Sequence, residues 1–271
     1  MAESHCADRK RKCDYLISYV EHFSVLSHDV DANNNARPSI ISRLMQETAN
    51  HHMRDRKPTY YDLFFRGQSF IATRIAFEVK EQLHPYDNVD VHTWTSDGKG
   101  ATFMRSHEIV RNGEAIVRSY SEWAVADRNT GKLCRTSEID FSNYEKDEPL
   151  KLKVPVRFHF PPEAVFVNCG TWQVNYCDCD MNLHMNNTNY QDMIWNFVPE
   201  VEHKKLTSFS LRFMAEAPVN SIIEIERSKL DTPIDDGCGA EESYYFRSTV
   251  NGRTNIEALV SCARTERETS W

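Results

Sequence analysis

The sequence predicts an α+β fold in which one unit, a helix followed by antiparallel strands, occurs twice along the chain. Each half contains apolar residues at helical spacing, followed by runs in which apolar and polar residues alternate as they do in half-buried strands. Each half also ends with two such runs joined by Asn-Gly, at Asn112-Gly113 and Asn251-Gly252. This dipeptide favours the type I′ turn of a tight hairpin, because both turn positions need a positive φ.

The first copy begins with a helix. Its apolar stripe starts just after Pro38, which is tolerated in a first helical turn because the missing N–H would be unpaired there anyway. The stripe is formed by Ile41, Leu44, Met45, Thr48, Ala49 and His52. Strands are then predicted at residues 70–79, 89–95, 103–110 and 115–126.

The second copy repeats this order. A helical stripe ends before Pro199, which cannot continue a helix, and consists of Tyr190, Met193, Ile194 and Phe197. Strands are predicted at residues 208–217, 222–230, 243–250 and 254–263. The segments that lead into the two helices are also alike: Asp-Val-Asp-Ala-Asn at 29–33 resembles Asp-Cys-Asp-Met-Asn at 178–182.

A helix followed by four antiparallel strands can bury its apolar stripe only if the sheet curls around it. This is the hotdog arrangement, so the predicted fold is a tandem double hotdog with a long central helix in each copy. We expect an N-terminal hotdog at residues 1–145 and a C-terminal one at 146–271, with a linker rich in charge and proline at about 141–162. Two paired copies would mimic a hotdog dimer, and a homodimer of the whole chain stays open.

Composition restricts the function classes. The chain is 40% hydrophobic and 27% charged, as in soluble globular proteins, and no apolar run approaches the roughly 18–20 residues that cross a bilayer. Residues 1–16 are basic in part but lack an apolar core, so no secretory signal is expected and a cytoplasmic location follows. Without export, the eight cysteines are expected to be free thiols.

The net charge of −8 argues against general nucleic-acid binding, which needs a broad basic face. Local basic clusters occur at residues 9–12, 54–57 and 204–205. Solvated surface charge explains each of them, although they also permit contact with an acidic partner.

The run from Cys177 to Trp195 carries the densest polar pattern. Asp180, Asn182 and His184 are spaced by two, so an extended or loosely turned segment would point all three side chains the same way. Asn186 and Asn187 follow where the second helix should begin, and free N–H groups at a helix start favour an oxyanion. These are the parts that acyl hydrolysis needs, but an Asx-rich turn capping a helix explains the same spacing.

Glu216 strengthens the catalytic interpretation. Apolar residues alternate on one face of the predicted strand at 208–217, and Glu216 lies on the opposite face. An isolated glutamate on a strand usually faces solvent. If this strand lies beside the start of the second helix, however, Glu216 can approach His184 and a water molecule.

The run from Asp180 to Tyr190 resembles the active-site signature of the acyl-acyl-carrier-protein thioesterases, plant and bacterial enzymes that release free fatty acids. Weaker likenesses occur in the same order as in that family, at residues 46–51, 73–74, 77–79, 89–94 and 212–216. The resemblance covers about residues 15–263. It implies hydrolysis of a fatty acyl thioester carried by a small acidic carrier protein, without metal or cofactor.

The resemblance also implies roles for individual residues. Asp180, Asn182, His184 and Glu216 match the family's catalytic set. Plant members have a cysteine after the glutamate, whereas this chain has Ala217, so a cysteine–histidine mechanism at that position is excluded. The first copy has Asn34 and Asn35 where histidine and methionine would stand, and we expect it to hold the acyl chain. The expected chain pocket lies along the first helix and is lined by Ile41, Leu44, Met45 and Thr48.

The expected mechanism holds the developing oxyanion at backbone N–H groups near Asn186 and Asn187. Glu216 and His184 would orient and deprotonate a water molecule. Asp180 has two open roles: it holds His184 in the right tautomer, or it attacks the carbonyl itself to give an anhydride.

Four alternatives remain open to different degrees. The protein could act on acyl-coenzyme A, or it could be an acyl-binding module without activity, since fold does not fix function. A nucleophilic Cys177 or Cys179 fits poorly, because Cys179 should face away from Asp180. A zinc site is also disfavoured, because Cys-x-Cys is a tight spacing for two ligands.

Overall fold

The computed structural model of the protein describes residues 17–265. Three α-helices occur there: α1 at Pro38–Asp55, α2 at Tyr60–Phe65 and α3 at Asn189–Trp195. The first five strands are β1 Tyr19–Ser24, β2 Gln68–Val79, β3 Asn88–Lys99, β4 Thr102–Arg111 and β5 Glu114–Asp127. The other five are β6 Val167–Gln173, β7 Lys204–Phe213, β8 Ile222–Lys229, β9 Glu242–Val250 and β10 Arg253–Arg264.

The ten strands form one antiparallel sheet in the order β1-β3-β4-β5-β2-β7-β10-β9-β8-β6. From the centre outwards, the strands of the second half repeat the order of the first. The prediction of a double hotdog built from two copies of one unit is therefore confirmed.

All eight predicted strands are present, as β2–β5 and β7–β10, and both hairpin turns have the expected backbone. Asn112 and Gly113 have φ values of 54° and 81°, and Asn251 and Gly252 have values of 51° and 75°. The edge strands β1 and β6 and the short helix α2 were not predicted. Strand β7 ends at Phe213, four residues before the predicted end at 217.

The prediction of a long central helix in each copy is wrong for the second copy. Helix α1 has 18 residues, whereas α3 has only 7. Its side chains Tyr190, Met193 and Ile194 are fully buried. The same apolar spacing therefore marked a buried helix in both halves, but periodicity over so few residues does not give the helix length.

The two helices meet across the centre of the sheet. Asp192 on α3 accepts hydrogen bonds from the backbone N–H and the hydroxyl of Ser39, at 2.9 and 2.6 Å. Ser39 lies in the first turn of α1, where N–H groups have no partner within the helix. A carboxylate of the second half therefore caps the helix of the first half.

The halves are joined by β2 and β7, which pair from Arg74–Arg212 to Glu78–Ser208. Phe77 and Phe209 face each other in this register, with ring centroids 5.8 Å apart and no exposed surface. One hydrophobic core runs through both halves.

The expected linker at residues 141–162 contains no helix or strand. It is fixed to both halves, because Glu78 on β2 accepts the N–H groups of Lys153 and Val154, and the carbonyl of Pro155 accepts the hydroxyl of Ser210 on β7. The domain boundary between residues 145 and 146 stays a prediction. None of the helices at residues 17–265 is long and apolar enough to cross a bilayer.

Arg54 and Lys57 have side chains 61% and 71% exposed, as expected of solvated charge, whereas Lys204 differs from that expectation. Lys204 is buried and pairs with Glu242 at 3.0 Å. In the cluster at residues 54–57, Arg54 pairs with Asp55 and Lys57 with Asp62. Residues 1–16 lie outside the described residues. They include the basic cluster at residues 9–12 and the segment for which no secretory signal was expected. The six described cysteines are free thiols, as expected.

The Phe77–Phe209 contact should stabilise the sheet where β2 and β7 join the two halves. Phe77→Ala should lower the free energy of unfolding by about 3–5 kcal/mol, because it leaves a cavity in a packed interior. Urea denaturation followed by circular dichroism measures this change. Phe65→Ala is the matched control, since Phe65 is 82% exposed and its loss should change stability by about 0.5 kcal/mol or less. Equal changes in the free energy of unfolding of both variants would contradict the assignment of Phe77 to the packed core between the halves.

Candidate active site

The segment at residues 178–186 forms a tight turn, not an extended run. The backbone N–H of Asp180 donates to the carbonyl of His184 at 2.9 Å, and the N–H of Leu183 returns to Asp180 at 3.0 Å. Leu183 has a φ of 63°, which is unusual for a leucine. The carboxylate of Asp180 accepts the N–H of Asn182 at 2.8 Å and fixes the turn from within.

The first copy contains the same turn. There the N–H of Asp31 donates to Asn35, the N–H of Asn34 returns to Asp31, and Asn34 has a φ of 63°. Asn35 therefore corresponds to His184, and Ala36 corresponds to Met185. The alignment that set Asn34 and Asn35 against histidine and methionine is wrong by one residue, although the first copy does lack the histidine.

The turn brings His184 to Glu216, as expected. Their side chains approach to 3.2 Å between Nδ1 and Oε2. His184 is one-third exposed, whereas Glu216 is 71% exposed and therefore open to water. Backbone bridges beside the pair hold it in place, because the N–H of Met185 donates to Ala217 and the N–H of Val219 donates to Leu183.

Glu216 lies beyond the end of β7, so another element must position it. The buried Asn255 on β10 does so, because its carbonyl accepts the N–H groups of Met214 and Ala215 and its side-chain amide donates to Ala215. The same amide lies 3.1 Å from the hydroxyl of Tyr190 on α3. Burial raises the pKa of Tyr190 to about 12, so this hydroxyl keeps its proton. Sequence reasoning missed Asn255, since nothing in the alternation of β10 marks it as different.

A cavity of about 1200 Å³ opens beside this site and extends along α1 in the N-terminal half. Its location under α1 agrees with the expected acyl-chain pocket, but only one of the four expected lining residues contacts it. Met45 lines the cavity, whereas Ile41, Leu44 and Thr48 do not. Ile41 is instead buried in the core, and the hydroxyl of Thr48 donates to the carbonyl of Leu44. The helix presents a neighbouring face to the cavity, formed by Ser42, Met45, Gln46, Ala49 and Met53.

The expected site residues divide into two groups. Asp180, Asn182, Asn186 and Asn187 line the cavity. His184 lies between these residues in the sequence, but neither His184 nor Glu216 lines the cavity. The turn therefore presents a carboxylate and amides to a bound chain, with the imidazole–carboxylate pair beside them.

The expected oxyanion donors are supported only in part. The N–H of Asn186 donates to the carbonyl of Asp178 at 2.8 Å, so Asn186 is not free to bind an oxyanion. Its side chain accepts from Thr188. The N–H of Asn187 has no acceptor within residues 17–265, and Asn187 lines the cavity.

The structure separates the two roles considered for Asp180. Its side chain hydrogen-bonds within the turn, to the N–H of Asn182 and, at 3.4 Å, to the Asn182 amide. The carboxylate that reaches the imidazole of His184 is that of Glu216. Of the two carboxylates, Glu216 is therefore the one placed to hold the tautomer of His184.

Cys179 does not line the cavity. Its thiol donates to the carbonyl of Asn175, and burial raises the pKa of the thiol. Ala217 is completely buried. Among the described residues, no cluster of three histidine, cysteine or acidic side chains could hold a metal ion.

Two family models match the chain. Residues 17–142 match the acyl-ACP thioesterase N-terminal domain, and residues 167–259 match the acyl-ACP thioesterase C-terminal domain. Among curated proteins, a chloroplastic palmitoyl-acyl carrier protein thioesterase of Arabidopsis thaliana is 25% identical over 75% of this chain and 53% of its own length. A chloroplastic oleoyl-acyl carrier protein thioesterase 2 of the same plant is 26% identical over 76% of this chain and 62% of its own length. The chain thus spans about half to three-fifths of these relatives.

Solved structures show the same fold. An acyl-ACP thioesterase from Bacteroides thetaiotaomicron superposes with a TM-score of 0.79 at 20% identity, over 92% of this chain and 98% of that one. The 12:0-ACP thioesterase of Umbellularia californica gives 0.77 at 16% identity, over 92% and 95% of the two chains.

The contacts of Asn255 predict a positioning role. Asn255→Ala should lower kcat for thioester hydrolysis about 100-fold with a smaller change in KM, because small displacements of a catalytic group are costly. Tyr190→Phe is the matched variant: it removes one hydroxyl but keeps the bond between Asn255 and Ala215, so kcat should fall less. Steady-state kinetics and thermal melting measured together decide the role. A lower melting temperature with unchanged kcat in Asn255→Ala would show that Asn255 serves stability alone.

Proposed function

Because the chain belongs to the acyl-ACP thioesterase family, we propose that it hydrolyses fatty acyl-acyl-carrier-protein thioesters to free fatty acid and carrier protein, ending or diverting fatty acid synthesis. One observation carries this proposal. The turn that holds Asp180 and Asn182 lies at a cavity large enough for an acyl chain, with the His184–Glu216 pair next to it. A binding module would need the cavity but not the paired imidazole and carboxylate.

The acyl chain would lie in the N-terminal cavity, with its thioester carbonyl at the turn. Asn187 supports this placement, because its N–H can donate to the developing oxyanion. Asn182 would hold the carbonyl or the attacking group. Glu216 fixes His184 through Nδ1 and leaves the other ring nitrogen for proton transfer.

Asp180 is our candidate for the attacking group, since its carboxylate lines the cavity and does not hold His184. A bond would form between a carboxylate oxygen and the acyl carbon while the C–S bond breaks. The departing thiolate would take a proton from His184. Water would then hydrolyse the resulting anhydride, returning a proton to His184 and releasing the fatty acid.

Carrier protein as the donor of the acyl group is supported by the names of the relatives but not by local charge. The basic clusters in the described part of the chain are largely taken up by ion pairs or buried. Coenzyme A as carrier is therefore the comparison that the kinetics must include. A cytoplasmic location and a homodimer stay predictions from the sequence; the plant relatives named above are chloroplastic.

His184→Ala tests the reaction. Hydrolysis of dodecanoyl, palmitoyl and oleoyl thioesters should lose about 10²–10⁴-fold in kcat, because a general acid–base group is removed. Each chain should be compared on carrier protein and on coenzyme A. His159→Ala is the control, since His159 is exposed and does not line the cavity. If the unaltered protein cleaves neither class faster than His184→Ala, the binding-module alternative replaces the enzyme.

A single turnover in ¹⁸O-water tests the attacking group. If Asp180 attacks, label should enter its carboxylate when water adds to the aspartyl side of the anhydride, and hydroxylamine should convert Asp180 to its hydroxamate. Mass spectrometry of the peptide that contains Asp180 measures both products. Label confined to the fatty acid, together with an unmodified Asp180, would identify water as the attacking group.

A further inference from the structure

The inner face of the N-terminal sheet is polar where the cavity touches it. Two neighbouring cross-strand rows cross β3, β4 and β5 in direct register, Thr93–His107–Ser119 and Thr95–Arg105–Ser121. The rows on either side are apolar or aromatic, Val91–Ile109–Val117 and Phe103–Trp123. An unsubstituted hydrocarbon chain cannot hydrogen-bond to the polar side chains in the middle of the sheet face that lines its cavity. The polar band therefore needs another explanation.

His107 is the centre of this band. His107 is only 5% exposed, and it lines the cavity. Neither ring nitrogen has a partner in good hydrogen-bond geometry within the described chain. The backbone of Met45 is the nearest hydrogen-bond partner of the ring, at poor geometry, and it raises the pKa of His107, but burial has the larger effect and lowers that pKa well below the usual value. His107 is therefore neutral and offers one donor and one acceptor.

Ser42 faces the same cavity from α1. It is 4% exposed, and its hydroxyl also lacks a hydrogen-bond partner within residues 17–265. An unpaired buried polar group costs about 1–3 kcal/mol. Two such groups lining one cavity indicate a position where a bound molecule supplies the missing partner.

Arg105 adds charged donors to this position. Its Nη1 donates to Nδ1 of His52 at 3.0 Å and to the hydroxyl of Thr93 at 3.1 Å. Its Nε and Nη2 have no acceptor among the described residues, and Arg105 lines the cavity. His52 accepts this bond because its other nitrogen donates to Glu145 at 2.8 Å, which fixes the orientation of the guanidinium group.

We propose that this cavity selects acyl chains that carry an oxygen substituent. This hydroxyl or oxo group accepts a hydrogen bond from Arg105 or His107 and also bonds the hydroxyl of Ser42. The inference rests on the proposed thioesterase function, whose substrate class it narrows. An unsubstituted chain would offer no hydrogen-bond partner to the hydroxyl of Ser42, to the ring of His107 or to Nε and Nη2 of Arg105. Sites built to bond a substrate hydroxyl reject the analogue that lacks it, by as much as about 10⁴–10⁵-fold when no water can enter. An open cavity should discriminate less.

The test compares kcat/KM for coenzyme A thioesters of dodecanoic acid and of its hydroxy and oxo derivatives, with the substituent moved along the chain. At one position the oxygenated chain should be cleaved at least about 10-fold better than the plain chain. The hydroxy and oxo series separate the two forms of the oxygen. If the plain chain equals or exceeds every oxygenated chain, the proposal is overturned.

Variants connect the preference to its side chains. Ser42→Ala and His107→Leu should each reduce the preference, measured as the ratio of kcat/KM for the oxygenated chain to kcat/KM for the plain chain. The matched control for Ser42→Ala is Ser208→Ala, because the hydroxyl of Ser208 is equally buried and unpaired but does not line the cavity. If the preference for the oxygenated chain survives in both Ser42→Ala and a folded His107→Leu, the assignment of that preference to these side chains is overturned. If His107→Leu does not fold, Ser42→Ala alone decides the assignment.

Calorimetric binding of dodecanoic acid and its best hydroxy or oxo derivative separates this inference from the proposed function. Tighter binding of the oxygenated acid, lost in Ser42→Ala, supports the inference even if no thioester is cleaved, in which case only the proposed function fails. Cleavage of plain chains with equal binding of both acids would leave the proposed function standing and overturn the inference.

Discussion

The pairing of β2 with β7 is the constraint on which the rest of the structure depends. It joins two five-stranded halves into one sheet and sets α1 and α3 close enough for Asp192 to cap α1. Without this pairing, the turn that carries Asp180 and the cavity along α1 would belong to separate bodies. Because the register is fixed by completely buried side chains such as Phe77 and Phe209, a slip by one residue would turn them outward and is strongly disfavoured.

The turn at residues 178–186 and its counterpart in the first copy share one backbone conformation but carry different side chains. Both copies use an aspartate to fix the turn and a residue with positive φ to close it. In the second copy the turn is followed by the His184–Glu216 pair. In the first, the corresponding positions hold Asn35 and Gln82, since the bond from Ala36 to Leu83 matches that from Met185 to Ala217. Gln82 donates to the carbonyl of Leu206, so the amide at the position of Glu216 makes a structural hydrogen bond.

Local patterns in the sequence predicted much of this. Alternation found the eight long strands, Asn-Gly found both hairpins, and the spacing of polar residues found Asp180, Asn182 and His184. The failures share a cause, which is that the answer depends on residues distant in the chain. Asn255 positions Glu216 from another strand, and the cavity that one face of α1 borders is also lined by residues of β4 and β5. Helical periodicity identifies a buried face but does not distinguish packed core from cavity wall.

The difference between the two helices divides the work between the halves. Helix α3 is short and its apolar side chains are buried in the common core, so the turn that carries Asp180 is followed directly by a packed element. Helix α1 is more than twice as long and is held at both ends, by Asp192 at its start and by the bond of His52 to Glu145 near its end. Between these ties it borders an open volume. A helix fixed at its ends can border a cavity that its own side chains do not fill, and the proposed function assigns that cavity to the acyl chain.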